Sequence, residues 1–142
     1  MAKKAAKTEA KPMAKKDDVK KKRKQRLTSA KVKVIVNSSY NNTIVAVTDY
    51  SGEVISTSSG GQVGFSGTRK STAYAATRAG EDAAKKAMKL GAQEAIVVVK
   101  GIGEGRQAAV KGVRAAGLRI TSLSDFTPIP HGGCKPRKAP KK

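Results

Sequence analysis

The 142 residues carry 30 Lys/Arg against 10 Asp/Glu, a formal net charge of +20, and the excess is gathered at the two ends. Residues 1–26 hold 12 basic and 3 acidic groups and residues 131–142 hold 5 basic and no acidic ones, which leaves +6 for the 104 residues between them. That middle is long enough for one domain with a single core. No apolar run nears the ~20 residues of a membrane span and no apolar segment marks a secretory signal. With Cys134 as the sole cysteine, a cytoplasmic protein without disulfides is expected.

Residues 1–26 form a low-complexity Ala/Lys extension with Met-Ala-Lys-Lys at Met1 and again at Met13. It has too few apolar groups to offset ordering entropy, so it is expected to be disordered when free. Its densest charge, Lys20 to Arg26 with Lys22, Arg23, Lys24 and Arg26, adjoins the folded region. Dense cationic arms gain affinity from polyanions by counterion release.

The domain is expected over residues 27–130. Val32, Val34 and Val36 alternate from Lys31, a turn at Asn37–Asn42 follows, and Thr43–Thr48 reads as a second strand. Asp49–Gly52 then turns into a third strand at Glu53–Ser58, completing an antiparallel meander. After Gly60–Gly67, residues Ala75, Ala76, Ala79, Ala83, Ala87 and Leu90 recur at helical spacing up to the stop at Gly91, with Glu81 and Asp82 facing Lys85 and Lys86 at i,i+4. Glu94–Lys100 contains the unbroken run Ile96-Val97-Val98-Val99 of a strand buried on both faces. A glycine turn, a second helix near Arg106–Ala116 and a last strand Leu118–Phe126 complete the order, and Pro128 and Pro130 release a basic tail, 131–142. The predicted fold is a three-layer α/β domain with a mixed five-stranded sheet, order 3-2-1-4-5, which resembles the ribonuclease-H-like arrangement.

Three stretches have the composition of phosphate or base contacts. Gly64 to Thr72 joins a glycine loop to a helix start, with Gly67, Arg69, Lys70, Ser71 and Thr72 beside the freed backbone N–H groups, a ready phosphate site. It lacks the Gly-Lys-Ser/Thr of a P-loop, and Ser71 also serves simply as a helix cap. Asn37, Ser38, Ser39, Tyr40, Asn41 and Asn42 offer amides, hydroxyls and one ring to sugar, phosphate or an unstacked base, although Asn-rich turns also arise for backbone reasons alone. In Gly101-Ile102-Gly103-Glu104-Gly105-Arg106, Arg stands where a dinucleotide fingerprint needs its third glycine, so a sharp turn with Arg106 aimed at a phosphate is the better reading.

Enzymatic alternatives lack machinery. His131 and Cys134 are half of a zinc set with no second pair. The first strand carries no carboxylate, and Asp49, Glu53, Glu81, Asp82, Glu94, Glu104 and Asp125 fall at turns or outer helix faces, so a metal-dependent nuclease is disfavoured. No cofactor is expected.

Ser39-Tyr40-Asn41-Asn42-Thr43-Ile44-Val45-Ala46-Val47-Thr48-Asp49, Gly64 to Ala76, Gly117-Leu118-Arg119-Ile120-Thr121 and Asp125-Phe126-Thr127-Pro128-Ile129-Pro130-His131 to Cys134 together resemble the universal small-subunit ribosomal protein eleven family in its bacterial form. The likeness covers about Val32 to Lys138. It implies a non-enzymatic component of the small-subunit platform that bridges helices of the 16S-type rRNA and helps form the Shine–Dalgarno cleft. It further implies small-subunit proteins seven and eighteen as neighbours, nearby mRNA, and no homo-oligomer. Asn41, Asn42, Thr43, residues 67–72, Arg106, Lys135, Arg137 and Lys138 become the expected rRNA contacts, joined by Asn37, Tyr40, Gly64, Arg119 and His131. Two departures stand out: Ile102-Gly103-Glu104-Gly105-Arg106 replaces the family's Pro-Gly-Pro-Gly-Arg, and His131-Gly132-Gly133-Cys134 replaces His-Asn-Gly-Cys. The competing reading is a free-standing nucleic-acid binder suggested by the Ala/Lys extension, under which residues 1–19 would supply most of the affinity.

Overall fold

Alternation along the first strand decides which face of the sheet is covered. β1 (Lys31–Ser38) buries Val32, Val34, Val36 and Ser38 and exposes Lys31, Lys33 and Asn37, the period of two of a strand with one face against a core. The computed structural model describes residues 30–135, 137 and 138; the expected contacts Lys22, Arg23, Lys24 and Arg26 lie outside the described residues. β1 pairs antiparallel with β2 (Thr43–Thr48), which pairs antiparallel with β3 (Val54–Ser59). Gly52, at φ +91°, closes the β2–β3 turn with its amide on the Asp49 carbonyl. The second half alternates: α1 (Ala73–Met88), β4 (Glu94–Lys100), α2 (Gly105–Ala115) and β5 (Arg119–Asp125). β4 runs parallel to β1 and β5 parallel to β4, giving the expected order β3-β2-β1-β4-β5.

The layering differs from the expected three. Both crossovers, β3 to β4 and β4 to β5, travel the same way across the sheet, and right-handed connections in one direction put both helices on one face. α1 and α2 accordingly pack against each other, so closely that a Cβ added at Gly80 would lie 2.4 Å from the Ala109 carbonyl oxygen. Among the described residues the domain therefore has two layers. The other sheet face presents Lys31, Lys33, Asn37, Ile44 and Lys100, and on β4 Ile96 is half-buried whereas Val97, Val98 and Val99 are buried.

The core between the layers is made of small side chains. Val32, Val34, Val36, Val45, Val47, Val97, Val113 and Leu118 meet Ala76, Ala79, Ala83, Ala84 and Ala87 of α1 and Ala109 of α2. Each fully buried valine contributes about 1.5–3 kcal/mol, while the alanines let the helix axes come close to the sheet. Gly91 and Gly117, at φ +111° and +105°, turn the chain out of α1 and α2.

One polar clamp joins α1 to β3. The buried Ser58 hydroxyl donates to Asp82 Oδ2 at 2.8 Å, and Lys86 Nζ donates to the same oxygen at 2.5 Å. Burial alone would raise the Asp82 carboxyl, but hydrogen bonds from Lys86 and Ser58 and the charges of Lys86 and Lys85 outweigh it and hold it below its ordinary value of 3.8. A carboxyl depressed in the folded state adds stability above its unfolded pKa, and that stability is lost as pH falls through the folded value. Asp82→Asn is expected to cost under about 1 kcal/mol at pH 7, because the pair is partly solvated. The gap between the urea midpoints of the two proteins should start to narrow as pH falls below ~4 and keep narrowing with further acidification; a gap that does not change with pH would mean the charge is not the source.

Candidate nucleic-acid interface

Because β1, β3, β4 and β5 point the same way, the segments that follow them meet at one end of the sheet, where α1 and α2 also begin. This is the end at which α/β sheets ordinarily bind ligands. Residues 39–42, 60–72 and 101–104 interlock there through backbone. The Gly103 amide donates to the Ser38 carbonyl at 3.1 Å, the Gly60 amide to the Thr43 carbonyl at 3.4 Å, and the Ser39 amide to the Asn42 carbonyl at 2.9 Å. There is no room for a side chain at the three glycines of the turn. A Cβ at Gly101 would fall 2.1 Å from the Ser38 oxygen, at Gly103 2.1 Å from the Ser39 oxygen, and at Gly105 2.0 Å from Thr43 Oγ1. Gly60 lies between the other two segments, where a Cβ would meet Asn42 Oδ1 at 3.2 Å and the Lys70 carbonyl oxygen at 3.3 Å.

Most of the sequence-predicted contacts come together on this cap. Tyr40 is 71% exposed at the tip of the first turn, with Asn37 and Asn41 exposed beside it. Asn42 is half-buried and turns its Oδ1 back onto the Thr43 amide at 2.9 Å. Thr43 is buried, its hydroxyl 3.2 Å from that of Ser38, so it braces the turn rather than offering a surface group. In the second segment Gly64 and Gly67 take φ +99° and +57°. A 3₁₀ turn over Gly67–Ser71 then carries Arg69, exposed, and Lys70, half-buried. The α1 cap is Thr72 and not Ser71: Thr72 Oγ1 accepts from the Ala75 amide at 3.2 Å, while Ser71 Oγ donates to the Thr68 carbonyl at 2.7 Å. The interposed 3₁₀ turn moves the cap by one residue.

Arg106 is not aimed outward. Its guanidinium is hydrogen-bonded to Asp125 Oδ2 at the end of β5. Asp125 Oδ1 accepts from the Thr127 amide at 3.0 Å and hydroxyl at 2.6 Å, and the Thr127 oxygen accepts from the Gly101 amide at 3.2 Å. The network ties the start of the C-terminal tail to the glycine turn, so the tail leaves from the cap. Beyond it His131, Lys135, Arg137 and Lys138 are exposed. Gly132, at φ +63°, occupies the left-handed conformation that asparagine also tolerates. Glu104 stands exposed at the N-terminal end of α2, where a negative charge suits the helix dipole.

Arg119 is the outlier. It opens β5, paired in register with Glu94 at the opposite end of the sheet, and does not join the cap. Sequence reasoning also passed over Lys100, exposed at the cap end of β4 beside Asn37, and over Phe65 and Tyr74. Those two rings, nine positions apart, meet edge to face with centroids 5.8 Å apart and planes at 87°. The available signal was the alternation that puts Lys100 in phase with Asn37; for the rings there was none without the loop geometry.

Among the described residues no group of three or more His, Cys, Asp or Glu is placed to hold a metal ion, and no helix is long and apolar enough to cross a membrane. A cap of exposed amides, hydroxyls and cations can hold phosphate, sugar and base edges.

Comparison with known proteins identifies the relatives of this cap. A model of the ribosomal protein S11 family matches residues 32–141. Three bacterial relatives are each named small ribosomal subunit protein uS11. That of Protochlamydia amoebophila is 57% identical over 103 residues, covering 72% of this chain and 76% of its own. That of Thermosipho africanus is 50% identical over 126 residues, covering 89% and 98%. That of Thermus thermophilus is 48% identical over 126 residues, covering 89% and 95%. With the family model spanning most of the chain and these relatives aligned over most of their own length, the chain belongs to the ribosomal protein S11 family.

Proposed function

We propose that the chain is a structural, rRNA-binding constituent of the small ribosomal subunit that bridges 16S-type rRNA helices in the platform and helps form the Shine–Dalgarno cleft beside the mRNA. Family membership supports the ribosomal, non-enzymatic role. The observation that carries the mode of binding is the convergence of Asn37, Tyr40, Asn41, Arg69, Lys70 and Lys100 at one end of the sheet. Polar turns there suit the sugar–phosphate backbone and splayed bases, while the basic segments at either end of the chain neutralise phosphates without reading sequence.

Protein neighbours, by this reading small-subunit proteins seven and eighteen, are assigned to the other exposed feature, the β5 side. Among the described residues β5 pairs only with β4. A groove of about 720 Å³ runs between α2 and β5 over Val99, Val110 and Leu123. Leu123, Phe126 and Ile129 are more than half exposed, and such apolar surface fits a protein partner better than a polyanion.

The test is binding of the full chain to small-subunit rRNA over a salt series. The wild-type protein is expected to co-sediment with the subunit at moderate salt. Arg69→Ala and Lys70→Ala should each lower the salt slope of rRNA binding by roughly one. A protein found only in the free soluble fraction, or slopes untouched by both substitutions, would overturn the assignment of the cap.

A further inference from the structure

We propose that Tyr74, braced by Phe65, is a stacking platform for one unpaired nucleobase of the small-subunit rRNA, an inference that rests on the rRNA-binding reading above.

The buried core is built from Val, Ala and Leu, without a single aromatic, and Tyr74 remains 64% exposed on the first turn of α1. The core therefore gives no reason for a ring at this position. The ring is nevertheless held. Phe65 meets it edge to face, and the Phe65 amide is tied to the Gly60 carbonyl at 3.0 Å. Thr72 caps the helix two residues before Tyr74 and so fixes the backbone that carries the ring. A ring braced by Phe65 on a fixed backbone loses little freedom when a flat partner settles on it.

The surroundings select a nucleotide as that partner. From Val54 to Gly80 the sequence contains no carboxylate, whereas Arg69 and Lys70 fall within it; Arg78, also there, is paired with Glu81 at 3.4 Å. Arg69 and Lys70 make no ion pair among the described residues, and they sit in the 3₁₀ turn that leads into α1. Hydroxyls of Ser66, Thr68, Ser71 and Thr72 fill the same segment. A flat ring beside unopposed cations and small hydroxyls matches a base with its attached phosphate, and matches poorly the broad apolar area that a protein partner would bury. The base must be unpaired, because the faces of paired bases in A-form RNA are already stacked.

The experiment compares the full-length wild-type chain with Tyr74→Leu and Tyr74→Phe for binding to small-subunit rRNA at several salt concentrations. Tyr74→Leu is expected to lose roughly 10- to 100-fold in affinity with the salt slope unchanged, because stacking involves no counterion release. Tyr74→Phe should retain wild-type affinity, and thermal melts of all three proteins should agree, since the ring is outside the core. Wild-type affinity in Tyr74→Leu overturns the platform, as does a loss accompanied by a lower salt slope, which would mark a phosphate contact. Failure of the wild-type chain itself to bind rRNA would instead overturn the functional reading on which the platform rests.

Discussion

Replacing Gly112 by alanine is expected to destabilise the domain by roughly 2 kcal/mol or more and to lower its melting temperature by about 10 °C, although alanine is the better helix former. Two effects of opposite sign compete at this position. Helix propensity favours alanine by about 1 kcal/mol. Against it, the new Cβ would sit 2.2 Å from the Thr77 carbonyl oxygen and 3.0 Å from its carbon. These are backbone atoms of α1, so relief requires the helices to separate rather than one side chain to swing aside. Separation would also stretch the bond from Thr77 Oγ1 to the Ala108 carbonyl, now 3.2 Å, and loosen Ala76, Ala79 and Ala109 in the shared core. Over-packing of this kind typically costs 1–3 kcal/mol, with more where backbone must move. Gly80 faces the same crossing from α1, so Gly80→Ala combined with Gly112→Ala should cost less than the sum of the two, the second Cβ entering a gap the first has opened. Urea and thermal unfolding of the three variants check this. A Gly112→Ala protein as stable as wild type would show that the helices cross at a greater distance.

Gly103→Ala is expected to reduce rRNA affinity by more than tenfold while leaving the helices and most of the sheet intact. No unusual backbone angle is involved, since Gly103 is not among the glycines of positive φ. Space alone is decisive: a Cβ would stand 2.1 Å from the Ser39 carbonyl oxygen and 2.6 Å from Ser38 Oγ. The 39–42 turn must then lift, breaking the bond from the Gly103 amide to the Ser38 carbonyl and displacing Tyr40 and Asn41 together. Ile102→Ala is the matched control, because Ile102 is 59% exposed in the same turn and exposed truncations usually stay within about 0.5 kcal/mol. Binding isotherms with far-UV circular dichroism distinguish the two variants. Equal loss in both would move the effect from backbone approach to side-chain contact.

The order of the sheet was legible because each strand has its own signature. Val32, Val34 and Val36 in alternation mark a strand covered on one face, and the β4 run marks an interior strand, flanked by β1 and β5. The inward role of Thr43 was legible too, had its phase with Val45 and Val47 been given more weight than its place in an Asn-rich turn. The layer count was not, because strand–helix alternation predicts parallel crossovers without fixing which face each helix takes; that follows only from the direction of the two crossings. The pairing of Arg106 was hidden for a different reason. Its partner Asp125 lies 19 residues away, and the two meet only through the parallel register of β4 and β5, which itself shifts between Ala95 and Ile96. Local pattern carries no information about such a pairing, so a cation at a helix start looked free for phosphate.

The strand directions have a mechanical consequence for the two cationic segments. β1 starts at the pole of the sheet opposite the cap, whereas β5 ends at the cap; eight residues of strand separate the poles by about 25 Å. The described chain therefore enters the block at one pole, at Ala30, and leaves it at the other, past Pro130. On the rRNA-binding reading proposed above, a seated cap would make any further contact at either pole an intramolecular event, with the gain in avidity that linked sites give. The block would then act as a two-ended bracket, multiplying several weak electrostatic attachments into one durable one.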